Sequence, residues 1–279
     1  MPSSGAFVGD LSNRGDTRVR PSRIKTSVVV ILLSVWCVVL PLLYFFARAF
    51  RLPFTATIYK SFHGGVRRLF NLRTQLVGFS HAGSPTLYVC NHVSYLDVFV
   101  LGEVLDIKFV AKAEVANWPV LGKLAALQNT LFFERDPRRA REQLQALQSQ
   151  LQQGHSLMLF PEGTSTPGDR VEPFHASLFE AGMGDDSKAV IQPVSIAYVD
   201  YDGVPMSPAD RDHYAWYLPM SFLGHFLTAM GLRQATVVVE FHQAVDGRSF
   251  SNRKAAAAYC EEQVRHGLMR ALGQGVEGS

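Results

Sequence analysis

Cysteine is scarce in this chain. Three occur in 279 residues, Cys37, Cys90 and Cys260, far apart in sequence. An odd number without close spacing excludes a disulfide framework and a thiolate metal site, and favours a reducing compartment. The nine histidines do not cluster with other ligating residues, so no metal centre is expected. A strong charge bias is also lacking: the formal net charge of +3 is too small to imply nucleic acid as a partner. No Gly-x-Ser-x-Gly stretch is present. The nearest, Gly154-His155-Ser156-Leu157-Met158, lacks the last glycine and with it the nucleophile elbow of a serine hydrolase. No internal repeat is visible, and the length suits one large α/β domain or two small ones.

One stretch lacks charge altogether. Val28 to Ala47 reads VVVILLSVWCVVLPLLYFFA. Twenty helical residues span about 30 Å, the thickness of a bilayer's hydrocarbon core. A buried core helix seldom lacks charge over that length. A cleaved signal peptide ending at Ala47-Arg48-Ala49 is the other alternative. Basic residues flank the run on both sides: Arg14, Arg18, Arg20, Arg23 and Lys25 before it, and Arg48, Arg51, Lys60, Arg67 and Arg68 after it. The positive-inside bias therefore nearly cancels. The run is either a single span or a helix that turns near Pro41 and keeps both flanks on one side. From Leu52 to Leu72, the residues Phe54, Ile58, Phe62, Val66 and Phe70 recur every four positions beside cations. That pattern fits an interfacial helix or an ordinary amphipathic core helix. Four regions follow: a disordered basic leader over 1–26, a membrane-anchoring helical region over 27–73, an α/β domain over 74–272, and a flexible tail over 273–279.

Within the domain, candidate strands are Gln75–Phe79, Thr86–Cys90, Ile107–Ala111, Thr130–Phe133, Ser156–Phe160, Ala189–Val199 and Thr236–Phe241. Gln192-Pro193 interrupts the sixth, which suggests an edge strand or a bulge. Helical segments run from Leu96 to Leu105, from about Trp118, from Asp136-Pro137 to Gly154, and from Lys254 to Leu272 under a Ser251 or Asn252 cap. Arg138, Arg139 and Arg141 stand against the macrodipole of their helix. They form either a solvated face or an attractor for an anionic donor or lipid surface. His213 to Leu232 is aromatic and apolar but broken by Pro219 and His225. It rests on a membrane or covers the site; it is not a span. The fold class is α/β: a central sheet flanked by helices, with an N-terminal membrane-associated helical segment.

Three polar loops each follow a candidate strand. The first, Asn91-His92-Val93-Ser94-Tyr95-Leu96-Asp97, sits where α/β folds present functional groups. On one regular helix, His92 and Asp97 would point about 140° apart. They meet only if His92 lies in the turn and Asp97 in the first helical turn. That pairing would hold a neutral imidazole in one tautomer, as a general base requires. A helix-capping turn with a satisfied histidine is the alternative. The other loops carry Glu134-Arg135-Asp136 and Pro161-Glu162-Gly163-Thr164-Ser165-Thr166.

Taken together, these loops resemble the lysophospholipid acyltransferases of the 1-acylglycerol-3-phosphate O-acyltransferase type. The resemblance covers roughly residues 75 to 245. Asn91-His92 with Asp97 matches the family's Asn-His-x4-Asp block, Phe133-Glu134-Arg135 the second, Phe160-Pro161-Glu162-Gly163-Thr164 the third, and Ile191-Gln192-Pro193-Val194 the fourth. The family implies a fatty acyl transfer from a thioester to the free hydroxyl of a lysolipid, most simply 1-acylglycerol-3-phosphate. His92 would be the base and Asp97 its orienting partner. Arg135 would bind an acceptor anion, and Glu162, Gly163 and Thr164 would shape the acceptor site, Glu162 by bonding to a hydroxyl. Arg135 and Glu162 pairing with each other is the alternative. Asn91 and Pro193 would support. No cofactor is implied, only acyl-coenzyme A or acyl-carrier-protein thioester as co-substrate. Membrane lipids are the implied partners, at the cytoplasmic face of a bacterial inner membrane.

Two departures concern the acceptor. Ser165 and Thr166 stand where the family commonly continues with Arg and Ser, and Pro173-Phe174-His175 stands where a cation is often found. Glu162 to Phe179, with Tyr214-Ala215-Trp216-Tyr217, is similar to the branch that acylates lyso-ornithine lipid, a phosphate-free acceptor. A non-catalytic membrane-interaction protein is the rival of a different class, but it has no use for three polar loops at strand ends.

Overall fold

A computed structural model describes residues 17–52, 55–83, 85–118, 120–134, 136–183 and 189–274 of the chain. The elements run α1 (Arg23–Ala49), α2 (Thr55–Leu69), β1 (Leu72–Val77), β2 (Thr86–Cys90), α3 (Leu96–Val104), β3 (Lys108–Lys112), α4 (Ala113–Ala116), α5 (Leu121–Leu127), β4 (Leu131–Phe133), α6 (Ala140–Gln152), β5 (Leu157–Leu159), β6 (Val190–Tyr201), β7 (Val204–Pro205), α7 (Pro208–Arg211), α8 (Phe222–Met230), β8 (Ala235–Phe241), β9 (Val245–Asp246) and α9 (Arg253–Ala271).

The sheet order is β1-β8-β6-β2-β5-β3-β4, with β7 and β9 also pairing β6. β2 lies parallel to both β5 and β6, while β8 pairs β6 antiparallel and β1 parallel. The carboxyl ends of β2, β5 and β6 therefore share one end of the sheet with the amino ends of β1 and β8. All five residues of β2 are buried, as expected for a parallel strand covered on both faces. Tyr88 and Cys90 face a core built with α2, α3 and α8. Leu87 and Val89 face a second core built with α6, the Ala176–Gly182 turn and α9.

Two sequence expectations are corrected. β6 is neither an edge nor broken at Pro193; it is a twelve-residue strand between β2 and β8. Its bulge comes later, between Tyr198 and Asp200. The Pro193 carbonyl accepts from His242 N–H at 3.0 Å, so its ring nitrogen faces the same flank. On that flank the partner changes from β9 at Ile191 to β8 at Val194. Pro193 sits in the gap, where a missing N–H forfeits no ladder bond. The Gln192 amide fills the gap instead, donating to the carbonyls of Phe79 and His242.

The second correction concerns the leader. Residues 1–16 lie outside the described residues, and 17–26 join the domain through the start of α1 and the coil before it. Thr17 Oγ1 and the Arg18 N–H both donate to Asp210, and Val19 is buried in the core. Ser22 caps α1, which continues without a break through Pro41. The chain reverses only beyond residue 49, and α2 returns antiparallel along α1. Trp36 Nε1 meets the Phe62 carbonyl, Tyr59 packs on Tyr44, and Gly65 lies where any side chain would strike Trp36. Both ends of this helical hairpin rejoin the domain at the same end of the sheet, through Ser22–Gly231 and Asn71–Ala235 backbone bonds. α1 is long and apolar enough to cross a membrane. One of its faces is exposed along its length, from Ile24 and Val28 through Val35, Val38 and Leu42 to Phe46.

Candidate active site

The site grows from the last residue of β2. Beyond Cys90, the Asn91 side chain replaces the next rung of the ladder: its amide donates to the Ile196 carbonyl (3.0 Å) and accepts from Ile196 N–H (2.9 Å). The chain then turns, and α3 begins at Leu96. His92 is thus in the turn and Asp97 in the first helical turn, the one arrangement in which they can meet. The His92 Nδ1 to Asp97 Oδ2 distance is 2.9 Å.

Asp97 is fully buried and accepts three further bonds: Val93 N–H and Ser94 N–H on Oδ2, and the Tyr198 hydroxyl on Oδ1 at 2.9 Å. A carboxylate only accepts, so the Nδ1–H tautomer follows, and Nε2 keeps its lone pair. The His92 side chain is 21% exposed, against 0% for Asp97. Its ring stacks on Phe160 at 4.2 Å, and Phe109 stacks behind Phe160. The pair is buried on its orienting side and open on its reactive side.

Glu162 lies against this turn rather than facing outward. Its Oε1 accepts from His92 N–H (2.6 Å) and its Oε2 from Glu172 N–H (2.9 Å). Burial pushes its carboxyl up to about 8; the two N–H donors pull the other way, and the nearby Glu172 and Asp97 charges add to the rise. Both oxygens meet main chain, one in the His92 loop and the other at Glu172. Gly163 takes a left-handed φ of +67°, and a Cβ there would come within 3.2 Å of His175. Thr164 is exposed, and its hydroxyl reaches the Ser165 carbonyl. Pro193 lies inside the sheet opposite Val89, away from the pair. Arg135 lies outside the described residues.

The site contacts of three residues escaped the sequence reading. Thr166 is buried, and both its N–H (2.9 Å) and its hydroxyl (3.2 Å) donate to the His92 carbonyl. With Glu162 it holds the His92 main chain from both polar groups. Phe160, the first residue of the third block, supplies the stacking surface. Tyr198 comes from the middle of β6, and burial together with the Asp97 charge pushes its hydroxyl well up, so it stays a donor. Nothing in a strand pattern marks it.

Two openings flank the site's sheet. An open cavity of about 290 Å³ at the carboxyl ends of β3 and β4 is lined by Lys112, Glu114, Phe133, Glu134 and Asp136. A narrow apolar crevice lies between α1, α2 and α5, with Tyr44, Ile58, Phe62 and Leu127 among its walls. Arg139 is tied to Glu134 and Glu142, while Arg138 and Arg141 are exposed. Trp216 N–H bonds to the Val93 carbonyl, and Tyr95 is ringed by Trp216, Phe222, His225 and Phe226, so the 213–232 stretch covers the His92 loop. Among the described residues, no group of three His, Cys, Asp or Glu is placed to hold a metal.

A second constellation lies on the other face. Ser195 Oγ meets His242 Nε2 at 3.1 Å, and His242 Nδ1 faces Glu240 at 3.8 Å. Gly267 of α9 closes over it: a Cβ there would come within 2.2 Å of Ser195 Oγ.

A family profile described as Acyltransferase matches residues 68–197. The lyso-ornithine lipid O-acyltransferase of Rhodobacter capsulatus is 40% identical over 183 residues, 64% of each chain, so the match spans just under two thirds of that protein. That of Brucella abortus is 37% identical over 76% of this chain and 81% of its own. The 1-acyl-sn-glycerol-3-phosphate acyltransferase of Neisseria gonorrhoeae is 31% identical over 64% of this chain and 68% of its own. Among solved structures, the 1-acyl-sn-glycerophosphate acyltransferase PlsC of Thermotoga maritima has a similar fold: TM-score 0.65 over 88% of this chain and 94% of that one, at 19% identity.

Proposed function

From the premise that this chain belongs to the acyltransferase family, we propose that it esterifies the free hydroxyl of a lysolipid at a membrane surface, with His92 as general base. The observation that carries this is the buried Asp97 holding Nδ1 of a partly exposed His92. Nε2 takes the hydroxyl proton as oxygen attacks the thioester carbonyl. The tetrahedral oxyanion then collapses, the C–S bond breaks, and the imidazolium returns the proton to the departing thiolate. Such base catalysis is worth roughly 10²–10⁴-fold. The oxyanion needs N–H donors. Those of Val93 and Ser94 are committed to Asp97, so others must serve.

The acceptor is lyso-ornithine lipid. Three relatives above 35% identity that carry that name, and the lack of Lys or Arg at Ser165, Thr166 and His175, support this. The four sequence blocks and the Neisseria relative favour a second reading, 1-acylglycerol-3-phosphate giving phosphatidic acid. Arg135 would take the acceptor's anionic group in either case. Arg138 and Arg141 would draw in the anionic donor, acyl-coenzyme A or acyl-carrier protein. Glu162 acts here through the His92 main chain, with Gly163 and Thr164 shaping the turn. The domain faces the cytoplasm from the inner membrane.

The test is a panel of lyso-ornithine lipid, lysophosphatidic acid and lysophosphatidylcholine with both donors, products read by mass spectrometry beside His92→Ala. Preference for lyso-ornithine lipid supports the first reading, and preference for lysophosphatidic acid the second. Acyl transfer retained in His92→Ala would sink the mechanism.

A further inference from the structure

The outward face of α8 is apolar. Leu223 and Leu227 are 64% and 40% exposed, and Leu218, in the turn before the helix, is 76% exposed. The inward face, Phe222, His225 and Phe226, packs on Tyr95, and the Tyr95 hydroxyl pairs with His225 Nδ1 at 3.1 Å. Tyr95 is three residues from His92. α8 also lies antiparallel beside the start of α1, through Ser22 N–H on the Gly231 carbonyl and Thr26 Oγ1 on the Leu227 carbonyl. Extending that register by one turn sets Leu223 level with Val30, on the helix whose exposed apolar face is the longest on the molecule.

We propose that α8 and the Leu218–Met220 turn form a second lipid-contacting element, which continues the face of α1 and beds the His92 loop at the lipid–water boundary. This rests on the membrane-surface reading above. A bilayer is the occupant for three reasons. The apolar face is continuous with α1. Arg20 and Arg23, exposed where the two helices meet, suit anionic headgroups. Tyr95, Trp118 and Trp216 cluster with Phe222 directly behind the helix, and these are the side chains that settle at the interface. A lysolipid could then present its hydroxyl to His92 while its chain stays among its neighbours.

Single cysteines at Leu223, Val38 and Ser251, introduced into the full chain with Cys37→Ser, would carry a bimane label; Cys90 and Cys260 are buried and stay unlabelled. In vesicles of phosphatidylethanolamine and phosphatidylglycerol, a nitroxide lipid should quench the Leu223 and Val38 labels several-fold more than the one at Ser251, with iodide showing the reverse. A Leu223 label that responds like Ser251 while Val38 is quenched by lipid would overturn the proposal and leave the membrane reading standing. If Val38 also responds like Ser251, both fall. Leu223→Asp with Leu227→Asp should raise KM for a vesicle-borne acceptor several-fold at unchanged kcat; an unchanged KM counts against the proposal.

Discussion

His92 with Asp97, and His242 with Ser195 and Glu240, are two histidine clusters on neighbouring strands and opposite faces of one sheet. By residue type the second is closer to a hydrolase. Yet Ser195 and His242 are 3% and 8% exposed, and α9 leaves no room above them. The first has its carboxylate buried and its imidazole open, at the end of a strand. The two differ in which side of the imidazole is open. The sealed cluster instead ties α9 to the sheet, with Glu240 reaching on to Arg270 at 2.6 Å.

Four measurements would break or sharpen this contrast. The largest effect is expected at the open cluster: His92→Ala should lower kcat by about 10²–10⁴-fold, with vesicle binding unchanged in flotation. At the sealed cluster, Gly267→Ala should cost about 1–3 kcal/mol in denaturant unfolding, because the new methyl group has to displace Ser195 or His242. The turnover of the folded fraction should not change.

Buried neutral histidines set the acid limit. Burial pulls His242 down and takes His63 down to about 4. A lowered folded pKa means the unfolded chain binds the proton first. The histidines' share of stability is therefore intact above about pH 6.5 and is lost as pH falls from there toward 4, by at most about 1.4 kcal/mol per pH unit per histidine, while the raised Glu162 carboxyl offsets part of that loss. Urea midpoints at pH 7, 6 and 5 check this, and His63→Gln should flatten the slope.

The smallest effect separates position from packing. Tyr198→Phe removes one donor from Asp97 and concentrates charge on the carboxylate, which favours the imidazolium. The acid limb of kcat/KM should move to higher pH, with activity recovered there. A uniform loss at every pH would mean Tyr198 only packs. Ser195→Ala, its counterpart in the sealed cluster, should leave the profile in place.

Local features of this site were legible in the sequence. The five-residue spacing of His92 and Asp97 allowed one arrangement only, and that is the one found. Strands β2 and β5 were marked by short apolar runs. Tyr198 was not legible, because it reaches Asp97 across 101 residues through strand pairing that no periodicity encodes. Pro193 misled for a related reason: whether a strand proline costs a bond depends on which neighbours flank it. Glu162 was visible as a motif residue, but not the direction of its carboxyl. Thr17 to Val19 looked like leader because their partner, Asp210, lies so far along the chain.

Asn91 has a consequence of its own. By lending its amide to Ile196, it lets the chain leave β2 while β6 still finds both its bonds. His92 is therefore fixed to the sheet without being part of it. In the proposed reaction its imidazole would begin each turnover already aimed, with little of the activation barrier spent on finding that orientation. Shortening the amide's reach or reversing its polarity would leave every reacting group present and spend turnover on conformational search.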